Sequence, residues 1–279
     1  MNQFYNNIKT LVFLAALTGL IMWVGSFFGP QGMYIALIFA AVMNLGSYFF
    51  SDKIAVMAVR GQEVGPDHML YKIVADLAQR AELPMPRVYV SPQEAPNAFA
   101  TGRSPKHAAV CATEGLLAVL TPNEVAGVMA HEMAHVKHRD ILIQSVAVTI
   151  GAAISMLAHM AMWGGGRRDN DNPLGGLAMM LLAPLGAGLI QMAISRSREF
   201  NADKGGAEIV GDPMYLATAL EKIHHLNQRI SMNVPPAFNS LFIAEPTSVW
   251  RSVGGLFQTH PPLEKRLLNL IGRESTGMV

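Results

Sequence analysis

Residues 121–140 read TPNEVAGVMAHEMAHVKHRD, and their first four residues are typical of a helix start. Thr121 serves as the N-cap, Pro122 occupies the first turn, and Glu124 completes a capping box with Thr121. No helix-breaking residue follows until well beyond Asp140. The pattern predicts a single helix that runs without interruption into the apolar segment beginning at residue 141.

This helix contains the sequence His131-Glu132-Met133-Ala134-His135. A spacing of four residues places the two imidazoles one turn apart on the same helix face. A carboxylate beside the first imidazole completes the arrangement needed when a zinc ion activates water for hydrolysis. The motif therefore predicts His131 and His135 as zinc ligands. Glu132 is predicted to be the general base, which later protonates the leaving amine.

The composition of the 279-residue chain is unusually apolar, with 51% hydrophobic residues, 15% charged residues and a mean hydropathy of +0.28. An ordinary soluble domain has about a quarter of its residues charged. A membrane-spanning helix needs about 20 apolar residues. The sequence predicts four such helices, from uncharged runs at about residues 11–28, 33–50, 141–166 and 172–195. A turn at Gly29-Pro30-Gln31-Gly32 separates the first two.

Basic residues flank the predicted spans mainly on one side, which predicts the orientation of the chain. They are Lys9, Lys53, Arg60, Lys137, Arg139, Arg196 and Arg198. Because cytoplasmic flanks are enriched in Lys and Arg, both termini and both polar segments are expected in the cytoplasm. Arg167 and Arg168, between the third and fourth runs, oppose this orientation, although Asp169 and Asp171 lie next to them.

The chain accordingly divides into four parts. Two transmembrane hairpins, 1–50 and 141–195, alternate with the two halves of a cytoplasmic catalytic domain, 51–140 and 196–279. The predicted fold is mainly α with a small antiparallel β-sheet.

In the first half, a helix is predicted at 67–83, followed by short strands at 87–90, 97–101 and 108–111. In the second half, a helix continues from the fourth span and stops at Gly205-Gly206. Another helix opens at Asp212-Pro213, and a last short helix begins at Pro261.

A zinc hydrolase needs a third protein ligand. The metzincin pattern is excluded, because His138 and Ile141 stand where it requires glycine and histidine. The run Glu199-Phe200-Asn201-Ala202-Asp203 offers Glu199 as the ligand. Asp203, one turn later on the same face, can accept the Nδ1 hydrogen of His131. Two predicted spans separate this run from the first motif, so both would lie on one side of the membrane. Glu208 is the alternative ligand.

Near the C-terminus, either His260 or Arg266 could donate a hydrogen bond to the oxyanion of the reaction. Helix capping and surface charge account for these two residues equally well. The single cysteine, Cys111, excludes an intramolecular disulfide and fits a small apolar strand residue. The net charge of +1, without a basic run interleaved with aromatics, gives no indication of nucleic-acid binding.

These motifs together resemble the HtpX family of membrane zinc endopeptidases, relatives of the CAAX prenyl proteases and the mitochondrial Oma proteases. The resemblance covers essentially the whole length. Its motifs are Asn97-Ala98-Phe99-Ala100-Thr101-Gly102, His131 to His135 with the adjoining Arg139-Asp140, Ser197 to Asp203, and Thr259-His260-Pro261-Pro262. The fold it implies is a zincin-like catalytic domain of the gluzincin type.

The resemblance also implies a function. One Zn²⁺ per chain would support cleavage of misfolded or damaged membrane proteins, without ATP, on the cytoplasmic side of a bacterial inner membrane. The substrate backbone would add as an extra strand beside Asn97, Ala98, Phe99 and Ala100. The sequence predicts no oligomeric state.

Two other functions remain as alternatives. A metal transporter or permease would need ligands inside the spans, where only His159 offers one. A catalytically inactive membrane scaffold is disfavoured by the intact His131–His135 and Glu199–Asp203 motifs.

Overall fold

The computed structural model of the chain describes residues 29–149, 196–227, 230, 241–243 and 261–272, with scattered positions between 8 and 26. The predicted span at 172–195, most of the span at 141–166, and His260 therefore lie outside the described residues. Among the described helices, one is long and apolar enough to cross a membrane.

That helix is α1, Gly29–Ala58, which contains 30 residues. The predicted turn at 29–32 is wrong, because the helix already begins at Gly29, whose φ is +76°. The described positions between 8 and 26 are also helical. Asn44 of α1 donates a hydrogen bond to Thr18 Oγ1 at 2.8 Å, and Gly25 lies against Ala36. As the first run advances from Thr18 to Gly25, its partner in α1 moves back from Asn44 to Ala36. The first run therefore packs antiparallel to α1.

The two halves of α1 have different surroundings. Its first half carries exposed apolar side chains, among them Tyr34, Ile38 and Val42, at 68%, 66% and 63% exposure. From Ser51 onwards the helix buries one face against the rest of the protein. Ser91 Oγ donates to the Val59 carbonyl at 2.6 Å, just beyond the end of the helix. The same helix thus joins an exposed apolar face to the folded domain.

The sheet has four strands in the order β1-β2-β4-β3. The strands are β1 Gln62–Glu63, β2 Arg87–Ser91, β3 Ala98–Gly102 and β4 Ala108–Thr113. The predicted antiparallel sheet is wrong in part, because β2 and β4 pair in parallel while β3 and β4 pair antiparallel. The chain leaves β2, forms the edge strand β3, and returns between them as β4. Cys111 is a buried residue of β4, as predicted.

Helices cover the sheet and form most of the core. They are α2 Met69–Ala81, α3 Glu114–Val119, α4 Pro122–His138, α5 (described over 141–149), α6 Arg196–Val210, α7 Pro213–Asn227 and α8 Leu263–Ile271. Helix α4 is central and contacts α2, α6, α7 and β3. Its predicted start is confirmed: the Thr121 N–H donates to Glu124 Oε2 at 2.8 Å, and Thr121 Oγ1 accepts from the Glu124 N–H.

Helix α4 ends earlier than the sequence predicts. Arg139 adopts a left-handed conformation, with φ at 60°. The Asp140 N–H donates to the His135 carbonyl at 3.0 Å and the Arg139 N–H to the Val136 carbonyl at 3.1 Å. This pair of bonds is a Schellman motif. Helix α5 then begins as a separate helix, and Ile141, its first residue, is fully buried. The predicted continuous helix into the third span is therefore wrong.

Helix α6 continues where the sequence predicts a stop. It runs through Gly205 and Gly206 to Val210. Gly206 is buried against α4, where the absence of a side chain lets the two helix backbones approach closely. The glycine pair therefore serves helix packing. The helix predicted to open at Asp212-Pro213 is confirmed, with Asp212 Oδ1 accepting from the Met214 N–H at 2.8 Å.

Candidate metal centre

Two helices from distant parts of the sequence bring three side chains to one point. His131 and His135 come from α4, and Glu199 comes from α6. One ligand atom from each of the three lies within 4.8 Å of the other two. The His131 Nε2 atom is 3.8 Å from Glu199 Oε2, and the His135 Nε2 atom is 3.5 Å from Glu199 Oε1. All three side chains are buried, so the atoms face one small interior space.

The geometry and the donor types fit zinc. Zinc bonds of about 2.0–2.2 Å in a tetrahedral arrangement separate neighbouring ligand atoms by roughly 3.3 Å. The observed separations of 3.5 and 3.8 Å are close to this value. Two imidazoles and one carboxylate also form the three-ligand set of a hydrolytic zinc site, with a fourth position open for water. Glu208, the alternative ligand, is exposed and does not belong to the cluster.

A carboxylate and an arginine lie on the Nδ1 side of the His131 imidazole. Asp203, one turn after Glu199 on α6, has its Oδ1 atom 2.9 Å from His131 Nδ1. Arg266 from α8 donates to both oxygens of Asp203, at 2.6 and 3.0 Å. Asp203 and Arg266 are buried. The Nδ1 atom of His131 is therefore paired with Asp203, and its Nε2 atom is directed towards Glu199.

The second imidazole has a similar support that sequence reasoning missed. Asp140 Oδ2 lies 3.5 Å from His135 Nδ1, and the Arg198 Nε atom lies 4.0 Å from Asp140 Oδ1. Asp140 lies five positions after His135, a spacing that would not place them on one face of a continuous helix. The Schellman motif at Arg139 turns the chain back and makes the contact. The available signal was the run Arg139-Asp140 itself, which the family resemblance contains.

The electrostatic environment differs between the two imidazoles. Burial is the largest effect on His131 and lowers its pKa to about 4, against the opposing influence of Asp203. Burial would also lower the pKa of His135, but the Asp140 carboxylate 3.5 Å from its Nδ1 atom and the carboxylates of Glu199 and Glu132 raise it to about 9. Burial would raise the pKa of Asp203, but Arg266 and His131 hold it below its ordinary value. The surrounding carboxylates thus favour a positive charge on His135, whereas burial disfavours one on His131.

Glu132 is buried on α4 next to His131, as the sequence motif requires. Of the two oxyanion candidates, the structure describes only Arg266. His260 lies outside the described residues. Arg266 lies beside Nδ1 of His131, and its guanidinium is bound by Asp203 and by the Ile243 carbonyl at 3.1 Å. The oxyanion role of Arg266 stays a prediction; in this structure its guanidinium positions Asp203.

The predicted substrate-binding strand is the edge strand β3. Asn97, Phe99 and Thr101 direct their backbone groups towards β4, since the Thr113 N–H donates to the Asn97 carbonyl. The backbone groups of Ala98, Ala100 and Gly102 therefore face away from β4.

All residues of β3 are buried, and two hydrogen bonds cover part of its outer edge. The Ile243 N–H donates to the Ala98 carbonyl at 3.1 Å, and Ser145 Oγ accepts from the Gly102 N–H at 3.2 Å. Phe242 packs edge-on against Phe99, with ring centroids 5.5 Å apart. Ala100 lies between the two covered positions.

The profile of peptidase family M48 matches residues 66–274, a range that includes every element of this centre. The chain belongs to peptidase family M48. It is therefore a metallopeptidase that hydrolyses peptide bonds, which disfavours the metal permease and the inactive scaffold. The HtpX resemblance is confirmed by the relatives of this M48 peptidase. The Protease HtpX homolog of Syntrophotalea carbinolica is 53% identical over 95% of this chain and 98% of the relative.

A second Protease HtpX homolog, from Burkholderia cenocepacia, is 50% identical over 98% of this chain and 99% of the relative. Among solved structures, the crystal structure of S. mikatae Ste24p matches 97% of this M48 peptidase, with a TM-score of 0.51 and 20% sequence identity. The match covers 66% of Ste24p, so this chain spans just under two thirds of that protein. At this identity the likeness concerns the fold.

Proposed function

We propose that this M48 peptidase is a zinc-dependent endopeptidase in which His131, His135 and Glu199 hold one Zn²⁺ ion. The observation that carries the proposal is the convergence of these three ligand atoms, within 4.8 Å of one another, from two separate helices. Burial supports it further, because a buried carboxylate beside two imidazoles is costly without a compensating cation.

The residues around the ligands have distinct roles in the reaction. A bound zinc ion would supply Lewis-acid polarisation of the scissile carbonyl and of the attacking water. Glu132 takes the proton from that water at its carboxylate and delivers it to the leaving nitrogen, so that water is added across the peptide bond. Asp203 fixes the tautomer of His131, because its carboxylate accepts the Nδ1 hydrogen. Asp140, whose carboxylate lies 3.5 Å from His135 Nδ1, orients that imidazole electrostatically.

Substrate binding is assigned to the outer edge of β3, at Asn97, Ala98, Phe99 and Ala100. An extended peptide can add to an exposed sheet edge through main-chain hydrogen bonds. The Ile243 N–H already occupies the Ala98 carbonyl. The peptide would therefore bond first at Ala100 and displace residues 241–243 to extend towards Ala98.

The proposed setting is a bacterial inner membrane, with the metal centre on the cytoplasmic side. The exposed apolar half of α1 supports a membrane location. We propose the division stated above, with hairpins at 1–50 and 141–195 and catalytic halves at 51–140 and 196–279. The substrates are proposed to be misfolded or damaged membrane proteins, cleaved without ATP.

Substitution of Glu132 by Gln tests the assigned base. Glu132→Gln should reduce casein cleavage at least about a hundredfold, within the usual range for a general base, while one zinc per chain stays bound. The comparison of Glu199→Gln with Glu208→Gln tests the third ligand, because both remove one carboxylate from α6. Only Glu199→Gln should lose zinc. Normal cleavage by Glu132→Gln, or zinc loss only in Glu208→Gln, would refute the assignment.

A further inference from the structure

Among the described residues, a concave site lined by none of the metal ligands lies beside the exposed apolar half of α1. It is a cleft of about 460 Å³. Its basic residues are Lys53, Arg87, Arg103, Lys106 and His107, and the rings of Phe49 and Phe50 also line it. We call this site the basic cleft. Its basic side chains come from α1, from β2 and from the connection between β3 and β4, so folding rather than sequence proximity assembles them.

The charge of the basic cleft is not balanced by protein carboxylates. Asp52 is the one acidic residue that lines it, and its carboxylate is bonded to Arg87. Within the described parts of the chain, Lys53, Arg103 and Lys106 have no carboxylate at ion-pair distance. The Arg103 guanidinium instead lies 5.3 Å from the centre of the Phe49 ring, and Lys53 Nζ lies 5.6 Å from that of Phe50. Three cationic side chains are therefore available to an anionic ligand.

The position of the basic cleft along α1 indicates what that ligand is. A continuous stretch of α1 without charged residues carries exposed apolar side chains from Met33 to Phe50. The first charged residues of the helix, Asp52 and Lys53, follow it, and one further exposed apolar side chain, Met57, lies beyond them. Eighteen helical residues span about 27 Å, close to the roughly 30 Å of a hydrocarbon core. With α1 in the membrane, as proposed above, the cleft lies at the level of the lipid headgroups.

We propose that the basic cleft binds the phosphate group of an anionic glycerophospholipid from the leaflet next to the catalytic domain. Basic residues at this level attract anionic lipids, and aromatic rings favour the same depth. Phe49 and Phe50 are 46% and 52% exposed, so their rings can contact the glycerol and upper acyl region while the cations bind phosphate. The cleft volume falls within the roughly 300–1,000 Å³ typical of ligand sites.

The experiment uses full-length protein in detergent, titrated with phosphatidylglycerol or phosphatidylcholine of identical acyl chains and observed by native mass spectrometry. Lys106→Glu reverses a charge in the basic cleft. Lys72→Glu makes the same change at an exposed position of α2, outside the cleft. The wild type should bind phosphatidylglycerol at least about tenfold more tightly than phosphatidylcholine. Lys106→Glu should lose at least about fivefold in this affinity, since one basic residue near a membrane surface contributes about that factor.

Lys72→Glu should bind phosphatidylglycerol as the wild type does. Equal losses in the two charge reversals, or equal binding of the two lipids, would overturn the proposal. Inorganic phosphate provides a further arm: if it displaces phosphatidylglycerol at matched concentration, the ligand is free phosphate and the lipid assignment is wrong. Arg103→Gln repeats the test with a smaller change, should Lys106→Glu fail to fold.

The lipid measurement is independent of proteolysis, although its interpretation rests on the membrane placement in the proposed function. Repeating it with Glu132→Gln separates the two proposals. Selective lipid binding that persists in this inactive variant supports the lipid-binding proposal and does not bear on the proteolytic one. Absence of lipid selectivity in a protein that still cleaves casein overturns the lipid-binding proposal and leaves the proteolytic one intact.

Discussion

Gly206 lies so close to the backbone of His131 that a Cβ atom at Gly206 would come within 2.7 Å of the His131 nitrogen. Backbone atoms cannot move aside as a flexible side chain can, so Gly206→Ala must push α6 away from α4. Overpacking of this kind costs about 1–3 kcal/mol. The same displacement separates Glu199 from the two imidazoles. We expect Gly206→Ala to unfold at a lower temperature and to bind zinc at least about tenfold more weakly, measured by competition with a chelator.

Gly205→Ala is the matched control. Its Cβ would meet the side chains of Ala134 and His138 at 3.2 Å, and no backbone atom of α4 appears among its nearest neighbours. Alanine gains up to about 1 kcal/mol over glycine within a helix, which offsets this tight contact. Equal effects of the two substitutions would show that helix approach at Gly206 does not set the ligand geometry.

Removal of the Asp140 carboxylate should weaken zinc binding through His135. Asp140→Ala removes the buried carboxylate that lies 3.5 Å from Nδ1 of His135, and loss of such a partner typically lowers metal affinity about 10–100-fold. Asp140→Asn retains an acceptor oxygen and should fall between Ala and the wild type. Zinc affinity is measured by titration against a fluorescent chelator. Asp76→Ala, which breaks an exposed ion pair with Arg80, serves as control. Wild-type affinity in Asp140→Ala would contradict the role of Asp140.

Substitution of Ala100 tests the edge of β3 as the substrate strand. Ala100→Pro removes an N–H that points away from β4, so the ladder within the sheet is unaffected. One lost hydrogen bond of about 1–1.5 kcal/mol corresponds to roughly a five- to tenfold rise in KM, with kcat retained. Ala100→Ser keeps the N–H and should behave as the wild type. A fall in kcat with unchanged KM would place the substrate elsewhere.

Stability at acid pH should depend on Glu124. Burial would raise its pKa, but the hydrogen bonds from Lys222 and Thr121 lower it below the ordinary glutamate value. Its contribution to folding is therefore complete above the unfolded-state pKa and is lost as the pH falls through the folded-state pKa. Glu124→Ala should cost about 1–2 kcal/mol at neutral pH, as for loss of a helix cap. Unfolding by denaturant across a pH series measures both effects.

Glu124→Gln separates the charge from the cap. Glutamine can still form a capping box but cannot titrate, so the difference in stability from the wild type should shrink towards acid pH. Lys222→Met removes the ion pair, whose atoms are 2.8 Å apart, and leaves the cap in place. A difference that stays constant with pH would exclude Glu124 as the titrating group.

Local signals in the sequence were sufficient for the start of α4 and for the candidate ligands. The capping box of Thr121 and Glu124 involves residues three apart, and the pairs His131–His135 and Glu199–Asp203 need only helical periodicity. Contacts between distant segments were harder to predict from the sequence. The parallel pairing of β2 with β4 depends on the strand that intervenes, β3, taking the edge, and alternation along a strand does not encode this order.

Two errors have a common origin in backbone conformation. Position 139 holds arginine rather than the glycine usual at a left-handed helix end. No local signal therefore predicts that α4 stops there and that Asp140 returns to His135. Gly205 and Gly206 resemble a stop signal, but their lack of side chains serves the contact between α4 and α6. The basic cleft was missed for a related reason, because its cations are separated by up to 53 positions in the sequence, from Lys53 to Lys106.

The continuity of α1 limits where the enzyme can cut. One unbroken helix carries the exposed apolar surface and, after Ser51, packs onto the folded domain. With α1 in the membrane as proposed, this continuous helix fixes the distance between the bilayer and the zinc ligands. A peptide bond in a membrane-embedded substrate is reached only after enough unfolded chain has emerged to cover that distance. Bonds nearer the lipid stay intact until the substrate is pulled outward.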